Sequence, residues 1–120
     1  MAYEKKIPID LSCPLRLTMS LMESKWKPCI LDELRTGIPM RPSEIHKSLK
    51  KAAPRVLDIH LKEMVEDGLV CKTIYPELPP RSEYAITDLG KSLLPIIDAM
   101  LKWGEEHFEI FEQRNKAKKQ

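Results

Sequence analysis

Two short alternating segments with a proline-rich stretch between them constrain the fold of this chain more than any other feature. The segments "LVCKTIY" (69–75) and "SEYAIT" (82–87) are rich in β-branched and aromatic residues, which favours strands. Three of the ten prolines lie within five positions between them, and proline cannot donate a hydrogen bond to a neighbouring strand. The pattern predicts a hairpin whose stiff loop contains Pro76, Pro79 and Pro80 and presents Arg81 at its tip.

The segment "PRVLDIHLKEMVEDG" (54–68) predicts a helix immediately before this hairpin. Its apolar residues at i, i+4, i+7 and i+8 form one stripe, and Gly68 can adopt the left-handed conformation that ends a helix. At 100° per residue, the opposite side is centred near Ile59. An isoleucine on a charged outer face is unusual for a helix that only meets solvent. Four further residues lie around it: Arg55, Asp58, His60 and Lys62.

Three shorter helices are predicted earlier in the chain. The first begins with Cys13-Pro14 and runs to about Met22, because proline is tolerated in a first turn. The second contains Trp26, Ile30 and Leu34 and ends at Gly37. In the third, "RPSEIHKSLKK", Ser43 is the expected N-terminal cap, with Ile45 and Leu49 on the inner side, and a turn follows at 50–53.

A long helix is predicted after the hairpin. Thr87 or Asp88 would cap it, and its apolar residues keep a helical period to Phe111, with a kink at Pro95. Such a helix extends roughly 35 Å, more than a small domain can cover. Part of its apolar face therefore requires another chain. The residues predicted to form a homodimer interface, with the first helix included, are Leu15, Met19, Leu93, Ile97, Met100, Leu101, Trp103 and Phe108.

The order of these elements is that of a winged helix-turn-helix domain. The predicted fold class is mainly α with a small β-hairpin, dimerising through terminal helices. The expected organisation is an N-terminal arm (1–12), one domain with its dimerisation helix (13–112) and a basic, frayed tail (113–120). In such a domain, the helix before the hairpin enters the major groove of double-stranded DNA. A rigid loop beside it can carry a cation towards the minor groove.

Charge is distributed unevenly along the chain. The net charge of +2 does not by itself indicate a nucleic-acid partner, but residues 41–62 contain six Lys or Arg against two acids. This excess is either a phosphate-binding surface or an ordinary solvated face, on which Asp58 would pair with Lys62. The predicted phosphate contacts are Arg41, Lys47, Lys50 and Lys51, and Ser43 is also predicted to lie at the DNA interface.

Several motifs together closely resemble the HxlR-type family of bacterial winged-helix regulators, distant relatives of the MarR group. They are "CPLRLTMSLMESKWKPCILDEL", the Asp67-Gly68-Leu69 turn, Pro79-Pro80-Arg81 with Glu83-Tyr84, and Thr87 through Leu89-Gly90. The resemblance runs from about Cys13 to His107. It implies a dimeric DNA-binding regulator with the wing at the minor groove and the terminal helices in the dimer contact.

Two departures from the family pattern affect the expected recognition of DNA. Members usually have a hydroxyl or amide residue where this chain has Ala53-Pro54, so a cap that bonds to phosphate is missing. Members also favour threonine and polar or basic residues in place of Asp58, Ile59 and His60. Asp58 would repel phosphate or accept from a cytosine amine, and Ile59 would contact a thymine methyl group. The operator cannot therefore be copied from relatives.

The three cysteines form neither a CxxC motif nor a metal-binding cluster. Cys13 stands at a helix start with Arg16 one turn away, where the dipole and a nearby cation favour a thiolate. Some HxlR-type members use a cysteine at this place to sense oxidants or electrophiles. Cys13 is either such a redox sensor or a small hydrophobic residue at a dimer interface. Cys29 and Cys71 are expected to be inert packing residues.

Other classes of function find little support in the sequence. The chain has no HExxH motif, no glycine-rich phosphate loop and no signal or membrane-spanning segment, which predicts a cytoplasmic protein that is not an enzyme and uses no cofactor or metal. A thiol-dependent enzyme would need Cys13, but no substrate is indicated. A winged-helix protein-interaction module is the competing interpretation, because Asp58 and the uncapped Ala53 both weaken the case for DNA. A small-molecule or redox effector stays possible.

Overall fold

The computed structural model describes residues 6–118 and confirms the predicted fold class. A small antiparallel hairpin lies among helices, as in a winged helix-turn-helix domain. The elements in chain order are α1 (Pro14–Met22), α2 (Lys27–Glu33), α3 (Pro42–Ser48), α4 (Pro54–Glu66), β1 (Val70–Tyr75), β2 (Arg81–Ile86), α5 (Asp88–Lys91) and α6 (Leu94–Lys118). Among residues 6–118, no helical segment has both the length and the hydrophobicity that a membrane span requires.

The core lies where α2, α3 and α4 meet the hairpin. The apolar stripe predicted for α4 is largely buried, because Leu57, Leu61 and Met64 have no exposed surface. They pack with the inner residues of α2 and α3, among them Ile30 and Ile45. The side of α4 opposite this stripe is therefore turned away from the core.

The hairpin forms where it was predicted and is tied to the start of α3. Val70 pairs with Ile86 at one end, and Tyr75 pairs with Arg81 at the other. On the free edge of β2, Tyr84 exchanges two backbone hydrogen bonds of 2.8 Å with Met40. This bridge holds β2 against the residues that lead into α3. The position of the hairpin relative to α3 is therefore fixed.

The Thr87-to-Gly90 motif forms the junction between the hairpin and the C-terminal helices. The Thr87 hydroxyl donates to the Gly68 carbonyl at 2.6 Å and accepts from the Gly90 N–H at 3.0 Å. A Cβ atom on Gly90 would lie 2.8 Å from Ile86 Cγ1 and still closer to the Leu69 carbonyl oxygen. Thr87 is thus the predicted cap, and glycine is required by the close approach of two backbones.

The long C-terminal helix differs from its prediction. Instead of one helix with a kink at Pro95, the short α5 ends at Lys91, and α6 begins at Leu94. Pro95 lies in the first turn of α6, where its missing N–H removes no intrahelical bond. The helix also continues to Lys118, whereas a frayed tail was expected from residue 113. Residues 1–5 of the predicted arm and 119–120 of the tail lie outside the described residues.

The prediction that Ser43 caps α3 was wrong. The N-terminal cap is Arg41, and Ser43 is already inside the helix. The Arg41 N–H donates to Glu44 Oε1 at 2.8 Å, which satisfies one of the donors left free at a helix start. The Ser43 side chain is therefore exposed at the first turn and not engaged as a cap.

Candidate nucleic-acid interface

Six cationic side chains are exposed on α3, the following turn and α4. Among the described residues, none of the six is within 4.0 Å of a carboxylate, so no ion pair neutralises this surface. We call this group the basic surface: it consists of Arg41, Lys47, Lys50, Lys51, Arg55 and Lys62. A set of unpaired cations retains its full attraction for phosphate.

The outer face of α4 follows the helical prediction with one exception. Arg55, Asp58 and Lys62 are exposed and Ile59 is partly exposed. His60, which was predicted to face DNA, is only 7% exposed and belongs to the buried side of the helix. Its position one residue past Ile59 turns it by 100°, towards α2.

Asp58 contacts a histidine of the neighbouring helix. His46 Nε2 lies 2.7 Å from Asp58 Oδ1, which joins α3 to α4 across the outer surface. The pairing of Asp58 with Lys62 that the sequence suggested does not occur in the described part of the chain. Lys62 therefore stays available, and the one acid of this face is held beside α3.

His60 takes part in a buried network that sequence reasoning missed. Its Nδ1 lies 3.3 Å from Glu63 Oε1, and Lys27 Nζ of α2 lies 3.2 Å from the same oxygen. Burial lowers the pKa of His60, and the Lys27 charge acts in the same direction, while Glu63 opposes both. One signal could have revealed the network: Lys27 lies three and four residues before Ile30 and Leu31, on the buried side of α2.

Arg81 lies at the base of the wing loop and not at its tip. It is the first residue of β2, and its side chain is 28% exposed. The guanidinium stacks 4.3 Å from the Tyr75 ring centre and lies 3.4 Å from Glu77 Oε1 and 3.6 Å from Glu83 Oε2. The tip is formed by residues 77–80, which contain a cis Leu78–Pro79 bond.

A surface groove separates the start of α3 from the wing loop. Arg41 and Ser43 line one side of it, and the loop from Glu77 to Ser82 lines the other. The Met40–Tyr84 bridge lies close to this groove, because Met40 precedes Arg41 and Tyr84 follows Ser82 by two residues. The structure thus places Arg41 of the basic surface and Arg81 at the same groove. A nucleic-acid interface that includes the hairpin loop requires this proximity.

A model of the HxlR-like helix-turn-helix family matches residues 21–112, which span α2 to α5, the wing and most of α6. The chain belongs to this family. The HxlR-like chain is 39% identical over 93 residues to an uncharacterized HTH-type transcriptional regulator of Methanothermobacter thermautotrophicus, covering 78% of this chain and 70% of the relative. It is 32% identical over 121 residues to the uncharacterized HTH-type transcriptional regulator YdeP of Bacillus subtilis, covering 96% and 94%.

Among solved structures, the HxlR-like chain is similar to the redox regulator HypR in its reduced form. The TM-score is 0.77 at 30% sequence identity, and the match covers 84% of this chain and 99% of HypR. The fold and the family membership therefore rest on independent comparisons of sequence and structure.

Two residues predicted for the dimer interface are buried inside the HxlR-like chain itself. Leu93 is 8% exposed and Ile97 is 5% exposed, because the junction between α5 and α6 and the first turn of α6 pack on the core. The other six predicted residues are more than 40% exposed and are open to a partner: Leu15, Met19, Met100, Leu101, Trp103 and Phe108. Trp103 stacks on His107 with ring centres 4.2 Å apart.

The cysteines of the HxlR-like chain differ in their surroundings. Cys13 caps α1, where its Sγ accepts from the Arg16 N–H at 3.4 Å, and it is half-buried. Burial raises the pKa of the Cys29 thiol, which suits the expected inert role. Cys71 is exposed on β1, so its prediction as a packing residue was wrong. In the described part of the chain, no group of three or more His, Cys, Asp or Glu could hold a metal.

Proposed function

We propose that this HxlR-type transcriptional regulator binds double-stranded DNA sequence-specifically, as a homodimer on an inverted repeat. The observation that carries the proposal is the basic surface, whose six exposed cations form no ion pair with any described residue. Cations that are not neutralised within the protein bind phosphates and release the counterions of DNA. Regulation then follows from occupying a promoter and needs no catalysis.

Each part of the interface has a distinct role in this proposal. Arg55, Ile59 and Lys62 on the outer face of α4 contact base edges and the nearby backbone in the major groove. The remaining cations of the basic surface, with the exposed Ser43 at the start of α3, contact phosphates and set the orientation. Arg81 reaches the minor groove from the base of the wing, provided that DNA displaces Glu77 and Glu83.

The salt dependence of binding tests the proposal. An operator fragment is first selected from random duplex DNA with the purified protein, and its affinity is then measured by fluorescence anisotropy at several salt concentrations. We expect log K to fall linearly with log salt, with a slope several units below zero. Arg55→Gln and Lys50→Gln should each reduce the magnitude of that slope by about 2, because each substitution removes one phosphate contact from each subunit of the dimer.

Lys102→Gln is the matched control, because Lys102 is an exposed cation on α6, away from the basic surface. It should leave the slope unchanged. A protein-interaction module predicts a different result: little affinity for any duplex at any salt concentration, and no selected sequence. That outcome would refute the proposal.

We also propose that Cys13 makes DNA binding sensitive to electrophiles. The thiol is half-buried at the start of α1 and accepts a hydrogen bond from the Arg16 N–H at 3.4 Å. The similar protein HypR is described as a redox regulator. With N-ethylmaleimide, the thiolate adds to the ring double bond, which forms one S–C bond and protonates the adjacent carbon.

Alkylation of Cys13, confirmed by mass spectrometry, should lower operator affinity. The Cys13→Ser variant should be insensitive, whereas Cys71→Ser, which removes an exposed thiol on β1, should respond like the wild type. Unchanged affinity after complete alkylation of Cys13 would exclude this role. The proposal that the protein binds DNA would still stand.

A further inference from the structure

Asp58 is an acid on the exposed side of α4, and two cations of the basic surface lie one helical turn away from it. Arg55 precedes it by three residues and Lys62 follows it by four, which are the spacings at which side chains of a helix meet. Within residues 6–118, neither cation lies within 4.0 Å of its carboxylate. The carboxylate contacts α3 instead, where His46 Nε2 lies 2.7 Å from Asp58 Oδ1. The neighbouring helix therefore sets the orientation of this acid.

The contact between His46 and Asp58 engages only one oxygen of the carboxylate. An ionised carboxylate can only accept, so His46 Nε2 carries a proton and donates it to Oδ1. The His46 side chain is 24% exposed, whereas that of Asp58 is 53% exposed. In the part of the chain that the structure describes, Asp58 Oδ2 has no hydrogen-bond partner. The pair thus leaves one acceptor oxygen of an oriented, half-exposed carboxylate available.

Stability of the contact between α3 and α4 does not account for this acid. The two helices already contribute Ile45 and Leu57, which have no exposed surface, to the same core. A half-exposed ion pair adds little stability beside such packing. On a surface that binds DNA, a carboxylate also repels phosphates. An oriented acid at this position is explained if its free oxygen accepts a hydrogen bond from the DNA.

We infer that Asp58, held by His46, accepts a hydrogen bond from the N4 amine of a cytosine in the major groove. This inference rests on the proposed DNA binding and specifies one base pair of the operator. Guanine and thymine present acceptors at this edge, which repel a carboxylate. Adenine presents an amine beside its N7 acceptor, whereas the amine of cytosine has only a C–H group beside it. His46 is a positioning residue, because it contacts the carboxylate and not the base.

Selection from random duplex DNA with the wild type and with Asp58→Asn tests which base is read. An amide both donates and accepts, which suits N6 and N7 of adenine. The two selected half-sites should differ at one position, where the wild type requires cytosine and the variant does not, with adenine as the expected replacement. Asp88→Asn makes the same exchange at an exposed acid of α5 and should leave the selected sequence unchanged. The inference fails if Asp58→Asn selects the wild-type half-site, or if the position that changes is not cytosine for the wild type.

A modified base tests the hydrogen bond itself. N4-methylcytosine still pairs with guanine, but its methyl group replaces the amine hydrogen that faces the major groove. At the assigned position of one half-site it should lower wild-type affinity about tenfold, a usual effect of one wrong base pair. 5-Methylcytosine adds a methyl group but keeps that hydrogen, and it is the control. Asp58→Ala should bind the cytosine and N4-methylcytosine sites equally well, whereas the same tenfold loss for this variant would show that the methyl group acts by steric hindrance alone and would contradict the contact.

Two variants of His46 test its positioning role. His46→Phe keeps an aromatic ring but has no donor, and His46→Gln offers an amide N–H in place of the ring Nε2–H. The preference for cytosine over N4-methylcytosine should fall to about twofold or less in His46→Phe and be largely retained in His46→Gln. Circular dichroism checks that both variants are folded. A purely structural residue could change stability but not this preference, so a His46→Phe protein with the wild-type preference would exclude positioning.

The outcomes also separate this inference from the proposed function. A wild-type protein that binds a selected operator with a steep salt dependence, while Asp58→Asn selects the same half-site, would support the function and refute the reading of cytosine by Asp58. A wild-type protein that selects no sequence would refute both.

Discussion

At the scale of single residues, the junction between the wing and the C-terminal helices depends on Gly90. The Thr87 hydroxyl binds the Gly68 carbonyl and the Gly90 N–H, which draws the start of α5 against the backbone at Leu69. The sequence motif that supported the family resemblance is thus a packing motif. Its role is to set where β2 ends and α5 begins.

Gly90→Ala should lower the free energy of unfolding by about 2 kcal/mol, because the new methyl group would overlap the Leu69 carbonyl oxygen and crowd Ile86. Urea unfolding followed by circular dichroism measures the change. Lys91→Ala, at the exposed neighbouring position, serves as the control and should change stability by less than about 0.5 kcal/mol. A loss for Gly90→Ala no greater than that of the control would contradict the packing argument.

At the scale of elements, α2 and α4 are joined by a buried polar network as well as by apolar contacts. Lys27 of α2 and His60 of α4 both lie within 3.3 Å of Glu63 Oε1. Removing one partner of a buried ion pair is costly, because the other charge keeps its desolvation penalty. The network therefore helps to define how α4 is seated on α2.

The network predicts how stability depends on pH. Burial lowers the pKa of His60 in the folded chain, so the unfolded chain binds a proton more readily. Stability should therefore fall as pH drops below about 6.5, the ordinary histidine value. Urea unfolding at pH 7.5 and 5.5 should show a larger acid-induced loss for the wild type than for His60→Gln. Between pH 7.5 and 8.5 the two proteins should change in parallel, and an equal acid-induced loss would contradict this origin.

At the scale of the whole molecule, α6 extends beyond what one chain can cover. Its 25 residues span about 37 Å in a molecule that measures 54 × 35 × 31 Å. Leu93 and Ile97 are buried in the core, but Phe108 is 65% exposed. An exposed apolar stripe of this length indicates an interface. A second copy on this stripe would also fix the distance between the two α4 helices.

Phe108→Glu tests the coupling of dimerisation to DNA binding. Two carboxylates in the apolar contact should dissociate the dimer, and affinity for an inverted repeat should fall by about 100-fold, because two linked half-sites gain avidity. Affinity for a single half-site should change little. Gln113→Glu adds the same charge on the opposite face and is the control. An unchanged preference for the inverted repeat would show that α6 does not couple the half-sites.

The local pattern of the chain was enough to predict most elements. The positions of apolar residues, proline and glycine predicted α1 to α4, the hairpin and the Thr87 cap, because these depend on neighbours a few residues apart. The misplaced cap at Ser43 and the break between α5 and α6 show the limit of this reasoning. In both cases the helix start was misplaced at a proline, because a cap at Ser43 would put Pro42 before α3 and Pro95 was expected inside a continuous helix, whereas both prolines lie in a first turn.

What the sequence alone determined was therefore the order of elements, the fold class and the excess of cations between residues 41 and 62. Only the tertiary structure decided which side chains are free: it buried His60, Leu93 and Ile97, paired Asp58 with His46 and held Arg81 against Tyr75. The physical reason is that helical periodicity specifies the direction of a side chain within its own helix. Whether another element lies in that direction depends on contacts between residues far apart in the chain.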